Sequence, residues 1–161
     1  MPKSLWAAAT ALCLLAASPL LASSATPEQL AAADAEFKKA VGEIKAKQYQ
    51  AGIDRLMTIY NGTGADADAL NQLGYAHRKL GHFDQSLRYY KEALELDPGH
   101  IQVHEYLGEL YLMTKKPDLA KKELATLSKL CGTCAEQKEL AEAIAKVEAD
   151  PTAVNNPATF Y

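Results

Sequence analysis

Large apolar residues and small residues recur along the chain with a period of 34 residues. Residues 67–100 and 101–134 align without a gap, and both copies have a glycine at position 8 and large residues at positions 7 and 24. These residues are Leu73, Gly74 and Tyr90 in the first copy and Leu107, Gly108 and Leu124 in the second. Ser86 and Ala120 add a second small residue at position 20. Helices approach closely where small residues face each other, and large side chains fill the space around that contact. Each copy is therefore predicted to form one helix pair.

A degenerate third copy precedes these two. Residues 33–66 keep both small residues, with Ala40 at position 8 and Gly52 at position 20. Leu56 and Ile59 occupy the large positions 24 and 27. This copy is predicted to form a third helix pair.

Two helix starts carry the spacing of a capping box. Thr26 is followed three residues later by Gln29, and Thr133 is followed three residues later by Glu136. The first pattern predicts a helix that begins near residue 27. The second predicts a last helix with Cys134 at its first position.

The chain after residue 134 divides into two segments. Residues 135–149 place Leu140, Ile144 and Val147 on one side and charges elsewhere, as a helix that closes a stack against solvent requires. Residues 150–161 show no period and are predicted to be a mobile tail. The predicted fold is all-α, with three helix pairs and a capping helix over residues 26–149.

The string Leu73-Gly74-Tyr75 and its echo Leu107-Gly108 resemble the signature of the tetratricopeptide repeat. The resemblance implies a solenoid that winds into a right-handed superhelix, with a concave groove lined by the first helix of each pair. It also implies an adaptor that holds a peptide or a protein partner in that groove.

Repeat positions 2, 5, 9, 12 and 13 line the groove in the family that this chain resembles. The candidate partner-binding residues at these positions are Phe37, Val41, Ile44, Asn71, Tyr75, Arg78, Glu105 and Glu109. The first three form an apolar end, and the next three form a polar middle suited to the backbone and one acidic group of an extended peptide. Alternatively, the apolar three pack against the start of the long first helix or against the tail. The family's carboxylate clamp is not predicted, because its positions hold Phe37, Val41, Gln72, Gln102 and Tyr106.

The first 25 residues have the three regions of a secretory signal peptide. Lys3 precedes an uncharged run from Leu5 to Leu21, and Ser23 and Ala25 supply small residues before a cleavage site. We expect cleavage after Ala25, a periplasmic or secreted mature protein, and no membrane association afterwards. The alternative is an uncleaved leader that anchors the chain, since the run is close to the lower limit for a span.

Composition and charge narrow the classes of function. The net charge is -3, and no basic stripe is visible, so nucleic acid is not an expected partner. The sequence groups no nucleophile with a base and an orienting residue, and it contains no phosphate loop or HExxH motif. Neither an enzyme nor a cofactor is predicted.

Cys131 and Cys134 form the one motif suited to chemistry. In an exported protein, two cysteines at this spacing most simply form a disulfide. One alternative is thiol exchange, because a thiolate at a helix N-terminus is stabilised by the helix dipole. The other is a copper or zinc site that also uses His100 and His104, four residues apart at a helix start. The competing interpretation places His104 in the core and His100 in a loop, so no metal site is predicted.

Three functional hypotheses remain. The first is an exported adaptor that binds a peptide or protein in the groove. The second is a thiol-redox or metal-handling accessory protein that acts through the cysteines. The third is an assembly factor that self-associates as a homodimer, since short repeat stacks expose apolar ends.

Overall fold

The computed structural model of the protein describes residues 26–64, 66–155 and 160, so the predicted signal peptide over residues 1–25 lies outside the described residues. The described residues form seven α-helices and one 3-10 helix, and no strand. The α-helices are α1 (Pro27–Lys45), α2 (Tyr49–Thr63), α3 (Ala67–Lys79), α4 (Phe83–Leu96), α5 (Ile101–Met113), α6 (Pro117–Cys131) and α7 (Ala135–Ala149). The 3-10 helix covers Pro151–Asn155.

The helices pack in consecutive pairs. α1 packs on α2, α3 on α4 and α5 on α6, while contacts of α2 with α3 and of α4 with α5 join the pairs. α7 packs on α5 and α6 and covers the last pair. The predicted all-α solenoid of three helix pairs plus a capping helix is confirmed.

The turn inside each pair has the same backbone conformation at the same repeat position. Lys47, Gly81 and Lys115 lie 34 residues apart and adopt φ angles of 61°, 78° and 58°. In each turn this residue's N–H donates to the carbonyl three residues back, and the next N–H donates to the carbonyl five residues back. This is a Schellman end, which satisfies the last carbonyls of a helix. Glycine adopts the conformation without strain, whereas each lysine costs about 1 kcal/mol.

Small residues create the close contacts that the repeat pattern predicts. A Cβ added to Gly74 would lie 2.5 Å from two carbons of the Tyr90 ring, so the ring packs directly on the backbone of α3. A Cβ added to Gly52 would lie 2.5 Å from Ile44 Cγ1. Gly108 differs, because the atoms nearest to its added Cβ belong to Leu140 of the capping helix. α7 thus inserts a side chain against α5 where a glycine leaves room.

Of the two predicted capping boxes, one forms. The Thr26 N–H donates to Gln29 Oε1 at 2.7 Å, and the Gln29 N–H donates to Thr26 Oγ1 at 3.2 Å. The box predicted at Thr133 is wrong: α7 begins at Ala135, and Cys134, in an extended conformation, is its N-cap without a side-chain hydrogen bond. Because the helix starts one residue later than predicted, Thr133 does not occupy the N-cap position.

The segment predicted as a mobile tail includes two described features. The 3-10 helix packs on α7 and contacts α5, and Phe160 is only 4% exposed.

Among the helices of the described residues, none combines the length and the apolar character that a membrane span requires.

Candidate functional site

The first helices of the three pairs lie side by side and carry all eight candidate groove residues. α1 contacts α3, and α3 contacts α5, so their inner faces form one surface. α1 carries Phe37, Val41 and Ile44, α3 carries Asn71, Tyr75 and Arg78, and α5 carries Glu105 and Glu109. The structure brings these residues to one face, but it exposes them very unequally.

Polar residues in the middle of this face bind one another. Arg78 Nη1 lies 2.6 Å from Glu109 Oε2, and the two side chains are 1% and 6% exposed. Asn71 Nδ2 donates to Gln102 Oε1 at 2.7 Å. Burial acts to lower the pKa of Arg78, but Tyr90 and Glu109 raise it more, so the guanidinium stays charged. These contacts tie α3 to α5. Asn71, Arg78 and Glu109 are buried, whereas their assignment to the groove lining assumed that they face solvent.

Glu105 is a buried carboxyl that is neutral at neutral pH. It is 4% exposed, and burial, the charge of Glu109 and a hydrogen bond with Glu139 of α7 raise its pKa to about 9. The Glu105 and Glu109 pair therefore carries one negative charge at neutral pH, and Arg78 balances it.

The apolar end of the face is divided between core and surface. Ile44 is buried and packs against Gly52, so it belongs to the core. Phe37 and Val41 are half-buried. Phe37 also lines a cavity of about 250 Å³ between α1 and the residues around Gly64, with Ile59 on its wall.

Three tyrosines form a ladder across the inner face. The ring centroids of Tyr49 and Tyr75 are 6.5 Å apart, and those of Tyr75 and Tyr106 are 5.1 Å apart. The Arg78 guanidinium carbon lies 5.4 Å from the Tyr75 centroid and 5.2 Å from the Tyr106 centroid. Both distances lie within the range of cation–π attraction, so Arg78 holds two rungs of the ladder in place.

An open cavity of about 360 Å³ lies over the tyrosine ladder. We call it the tyrosine cavity; it is lined by Val41, Ile44, Lys45, Lys47, Tyr49, Gln72, Tyr75, Gln102 and Tyr106. Lys45 and Lys47 are exposed, whereas Lys79 lies half-buried with its Nζ 5.2 Å from the Tyr75 centroid. Burial and the charge of Arg78 lower the pKa of Lys79 to about 8.

Two repeat-family models, both described as tetratricopeptide repeat, match the sequence. One matches residues 67–100, which are one of the predicted copies, and the other matches residues 89–122. The chain is a tetratricopeptide-repeat protein. None of the curated proteins compared with it matches its sequence.

Solved structures have the same fold at low sequence identity. The tetratricopeptide domain of Arabidopsis OM64 matches with a TM-score of 0.67 and 16% identity over 73% of this chain and 98% of that one. The first tetratricopeptide domain of Spaghetti (RPAP3), bound to the HSP90 peptide SRMEEVD, matches with a TM-score of 0.65 and 17% identity, covering 73% and 94%. PcrH in complex with the chaperone-binding region of PopB matches with a TM-score of 0.63 and 15% identity, covering 76% and 96%.

Several lining residues of this tetratricopeptide groove were not among the candidates. Tyr106 and Gln72 share repeat position 6, which falls on the same helical face as positions 2, 9 and 13. That periodicity is a signal by which they can be found. Lys47 lies in the turn after α1, and Tyr49 begins α2, the second helix of its pair. A rule that considers only the first helix of each pair therefore omits both residues.

Cys131, Cys134, His100 and His104 of this tetratricopeptide chain are not among the residues that line the tyrosine cavity. The Sγ atoms of Cys131 and Cys134 lie 2.08 Å apart, which is bonding distance.

Each of the two histidines has a partner in the protein. His104 Nδ1 lies 2.7 Å from Glu123 Oε2, and His104 Nε2 lies 3.0 Å from the Pro98 carbonyl oxygen. His100 Nε2 lies 3.0 Å from Asp68 Oδ1. Glu123 raises the pKa of His104. Within residues 26–64, 66–155 and 160, no three histidine, cysteine or acidic residues are grouped to hold a metal ion.

Proposed function

We propose that this protein is an exported adaptor that binds an extended peptide segment of a protein partner in the tyrosine cavity. The tetratricopeptide fold is a scaffold for protein interaction, and the cavity over Tyr49, Tyr75 and Tyr106 is the observation that carries the proposal. Aromatic rings supply rigid apolar area to a bound peptide. Gln72 and Gln102 supply side-chain amides of the kind that hydrogen-bond an extended backbone.

The charge around the cavity favours an acidic partner. Arg78 is neutralised by Glu109, and Glu105 is protonated, so the buried centre of the face has no net charge at neutral pH. Lys45 and Lys47 at the edge of the cavity then leave its surroundings positive, although the whole chain is acidic. Positive charge beside a groove steers and holds acidic segments.

Two structural neighbours are complexes with a segment of another protein. One holds the HSP90 peptide SRMEEVD and the other holds a region of PopB. Their identities with this chain, 17% and 15%, establish the fold alone. The partner of this protein is therefore described by its chemistry, as a segment with acidic residues.

A displayed library of random peptides tests the groove. We expect the protein to enrich peptides with acidic residues, and the Lys45→Glu/Lys47→Glu variant to lose them by tenfold or more in affinity, about 1.4 kcal/mol. The matched control is Lys91→Glu/Lys138→Glu, which makes the same charge change at exposed lysines on α4 and α7. Retained binding by the Lys45/Lys47 variant, or equal loss by the control, would contradict the assignment.

Export is tested by the mass of the mature chain. If residues 1–25 are a cleaved leader, protein recovered from the envelope begins at Thr26. Recovery of the full-length chain in the membrane fraction would support the uncleaved anchor instead.

Thiol titration tests the role of the two cysteines. We expect an oxidised pair that resists mild reductants, and a loss of about 2 kcal/mol of unfolding free energy in the Cys131→Ser/Cys134→Ser variant, from loop closure in the unfolded chain. A pair that cycles readily with thiol reagents would favour the thiol-redox accessory over the structural bridge.

A further inference from the structure

Phe160 is a buried aromatic side chain, and most of the residues around it are far from it in the sequence. It is 4% exposed and lies on the wall of a cavity of about 200 Å³ between the ends of α3 and α5 and the 3-10 helix. We call this the Phe160 pocket; its other lining residues are Arg78, Lys79, Gly81, Phe83, Met113, Val154 and Asn155. The lining thus combines apolar side chains with two cationic ones.

One polar contact fixes the backbone beside this ring. Lys79 Nζ donates to the Phe160 carbonyl oxygen at 3.2 Å. A carbonyl acceptor next to an aromatic side chain is present in every peptide that contains an aromatic residue. The contact therefore recognises a generic feature of peptide chains, and nothing in it is particular to this segment.

The Phe160 pocket adjoins the tyrosine cavity. Arg78 and Lys79 wall the pocket, and both also contact the Tyr75 ring, with the Arg78 carbon at 5.4 Å and the Lys79 Nζ at 5.2 Å from its centroid. The two spaces share no lining residue, and Arg78 and Lys79 lie between them. A peptide that extends from the tyrosine cavity past these two side chains would reach the pocket.

We propose that the Phe160 pocket is the aromatic subsite of the groove, and that Phe160 is a built-in ligand that an aromatic residue of the partner displaces. This inference rests on the proposed function. The partner segment then combines acidic residues over the tyrosine cavity with an aromatic residue at the pocket. A tethered ligand competes at an effective concentration of about 1 mM, so it excludes weak ligands and yields to a partner that also holds the tyrosine cavity.

Fluorine NMR tests the docked state directly. The chain contains three phenylalanines, Phe37, Phe83 and Phe160, so labelling with 4-fluorophenylalanine gives three resonances. We expect the Phe160 resonance to be shifted from that of a free peptide and protected from a soluble paramagnetic agent. The Phe160→Ala variant is expected to shift the Phe83 resonance and to leave that of Phe37 unchanged, because Phe37 lines a different cavity. A Phe160 resonance with the shift and accessibility of a free peptide would overturn the proposal.

Competition in trans tests whether the pocket selects an aromatic side chain. The probe is a synthetic peptide with the sequence of residues 150–161, added to labelled protein. We expect it to shift the Phe83 resonance of the Phe160→Ala variant at concentrations at least about tenfold lower than in the unaltered protein. The same peptide with alanine in place of Phe160 is expected to have no effect. Equal binding by both peptides, or no binding to the variant, overturns the subsite.

Two further results separate this inference from the proposed function. The Phe160→Leu variant keeps an apolar side chain. If this variant and the unaltered protein exclude the probe peptide to the same degree, the pocket is not selective for aromatic rings. The Lys45→Glu/Lys47→Glu variant should bind the probe peptide at the pocket as before. If the Lys45→Glu/Lys47→Glu variant keeps the acidic library peptides while Phe160 is docked, the tyrosine cavity is rejected and the subsite stands. If Phe160 is not docked but the unaltered protein binds the library peptides, only the subsite is rejected.

Discussion

The inner face of α1 and the inner faces of α3 and α5 derive from the same repeat positions, yet the first is open and the second is internally tied. Arg78 and Glu109 form a pair whose side chains are 1% and 6% exposed, in the middle of the stack. The charged group of the first pair, Arg55 with Glu36 and Glu43, lies on α2 and α1 and remains partly exposed. A helix with packed neighbours on both sides buries its polar groups and must pair them, whereas a helix at the end of a stack leaves them to water.

Repeat position 10 shows the same contrast. Gly42 of α1 is exposed, and a Cβ added there would have no atom within 4 Å, whereas Ala76 at the same position of α3 is fully buried. The end and the middle of the stack therefore differ in packing as well as in charge. Substitutions in matched pairs measure how far the difference extends.

The largest effect is expected at the buried ion pair. Arg78→Met removes the partner of Glu109 and leaves a carboxylate buried without compensation, which costs about 3–5 kcal/mol of unfolding free energy. Urea denaturation followed by circular dichroism measures the loss. Arg55→Met is the matched control and should lose much less, because Glu36 and Glu43 stay solvated.

A double variant separates pairing from packing in this prediction. Arg78→Met/Glu109→Leu removes both charges and is expected to be more stable than Arg78→Met alone. Equal losses for Arg78→Met and Arg55→Met would show that the middle of the stack is as open to water as its end.

An intermediate effect is expected at the glycines. Gly74→Ala forces the Tyr90 ring away from α3 and should destabilise the protein by about 1–3 kcal/mol. Gly42→Ala meets open space and should stabilise α1 by roughly 0.5–1 kcal/mol. Thermal unfolding of both variants, side by side, checks the opposite signs, and a gain at Gly74 would contradict the close packing of α3 on α4.

The last effect is expected in the dependence of stability on pH. Because the pKa of Glu105 is raised from 4.5 to about 9, the folded protein between those values keeps a proton that the unfolded chain releases. The contribution of Glu105 to stability therefore falls as pH rises through this window, by no more than about 1.4 kcal/mol for each pH unit. Glu105→Gln resembles the protonated acid and should flatten the fall in melting temperature by a few degrees for each pH unit.

His104 also titrates, so the quantity to measure is the difference between variant and unaltered protein at each pH. Glu95→Gln changes an exposed glutamate on α4 and serves as the control. A difference that stays constant from pH 5 to pH 9 would contradict a protonated Glu105.

Repeat-level features were predictable because they are local. The 34-residue period, the small residues Gly74 and Gly108 and the capping box at Thr26 follow from helix spacing and cap chemistry over short stretches. The box at Thr133 was wrong because the residue that caps α7 is Cys134, whose neighbours in space include Cys131. Positive φ at Lys47 and Lys115 had no sequence signal, since lysine has no preference for that conformation.

The sequence by itself determined that this protein is a stack of helix pairs, because hydrophobic periodicity and small residues act through neighbours on the same or the next helix. Only the tertiary structure decided which groove residues are available. Arg78, Asn71 and Glu105 lie at groove positions, but burial between α3, α5 and α7 left their polar groups to pair with Glu109, Gln102 and Glu139. The open surface is instead the tyrosine cavity. Beside it Phe160 is buried, and its carbonyl accepts from Lys79, a contact across 81 residues that no local pattern specifies.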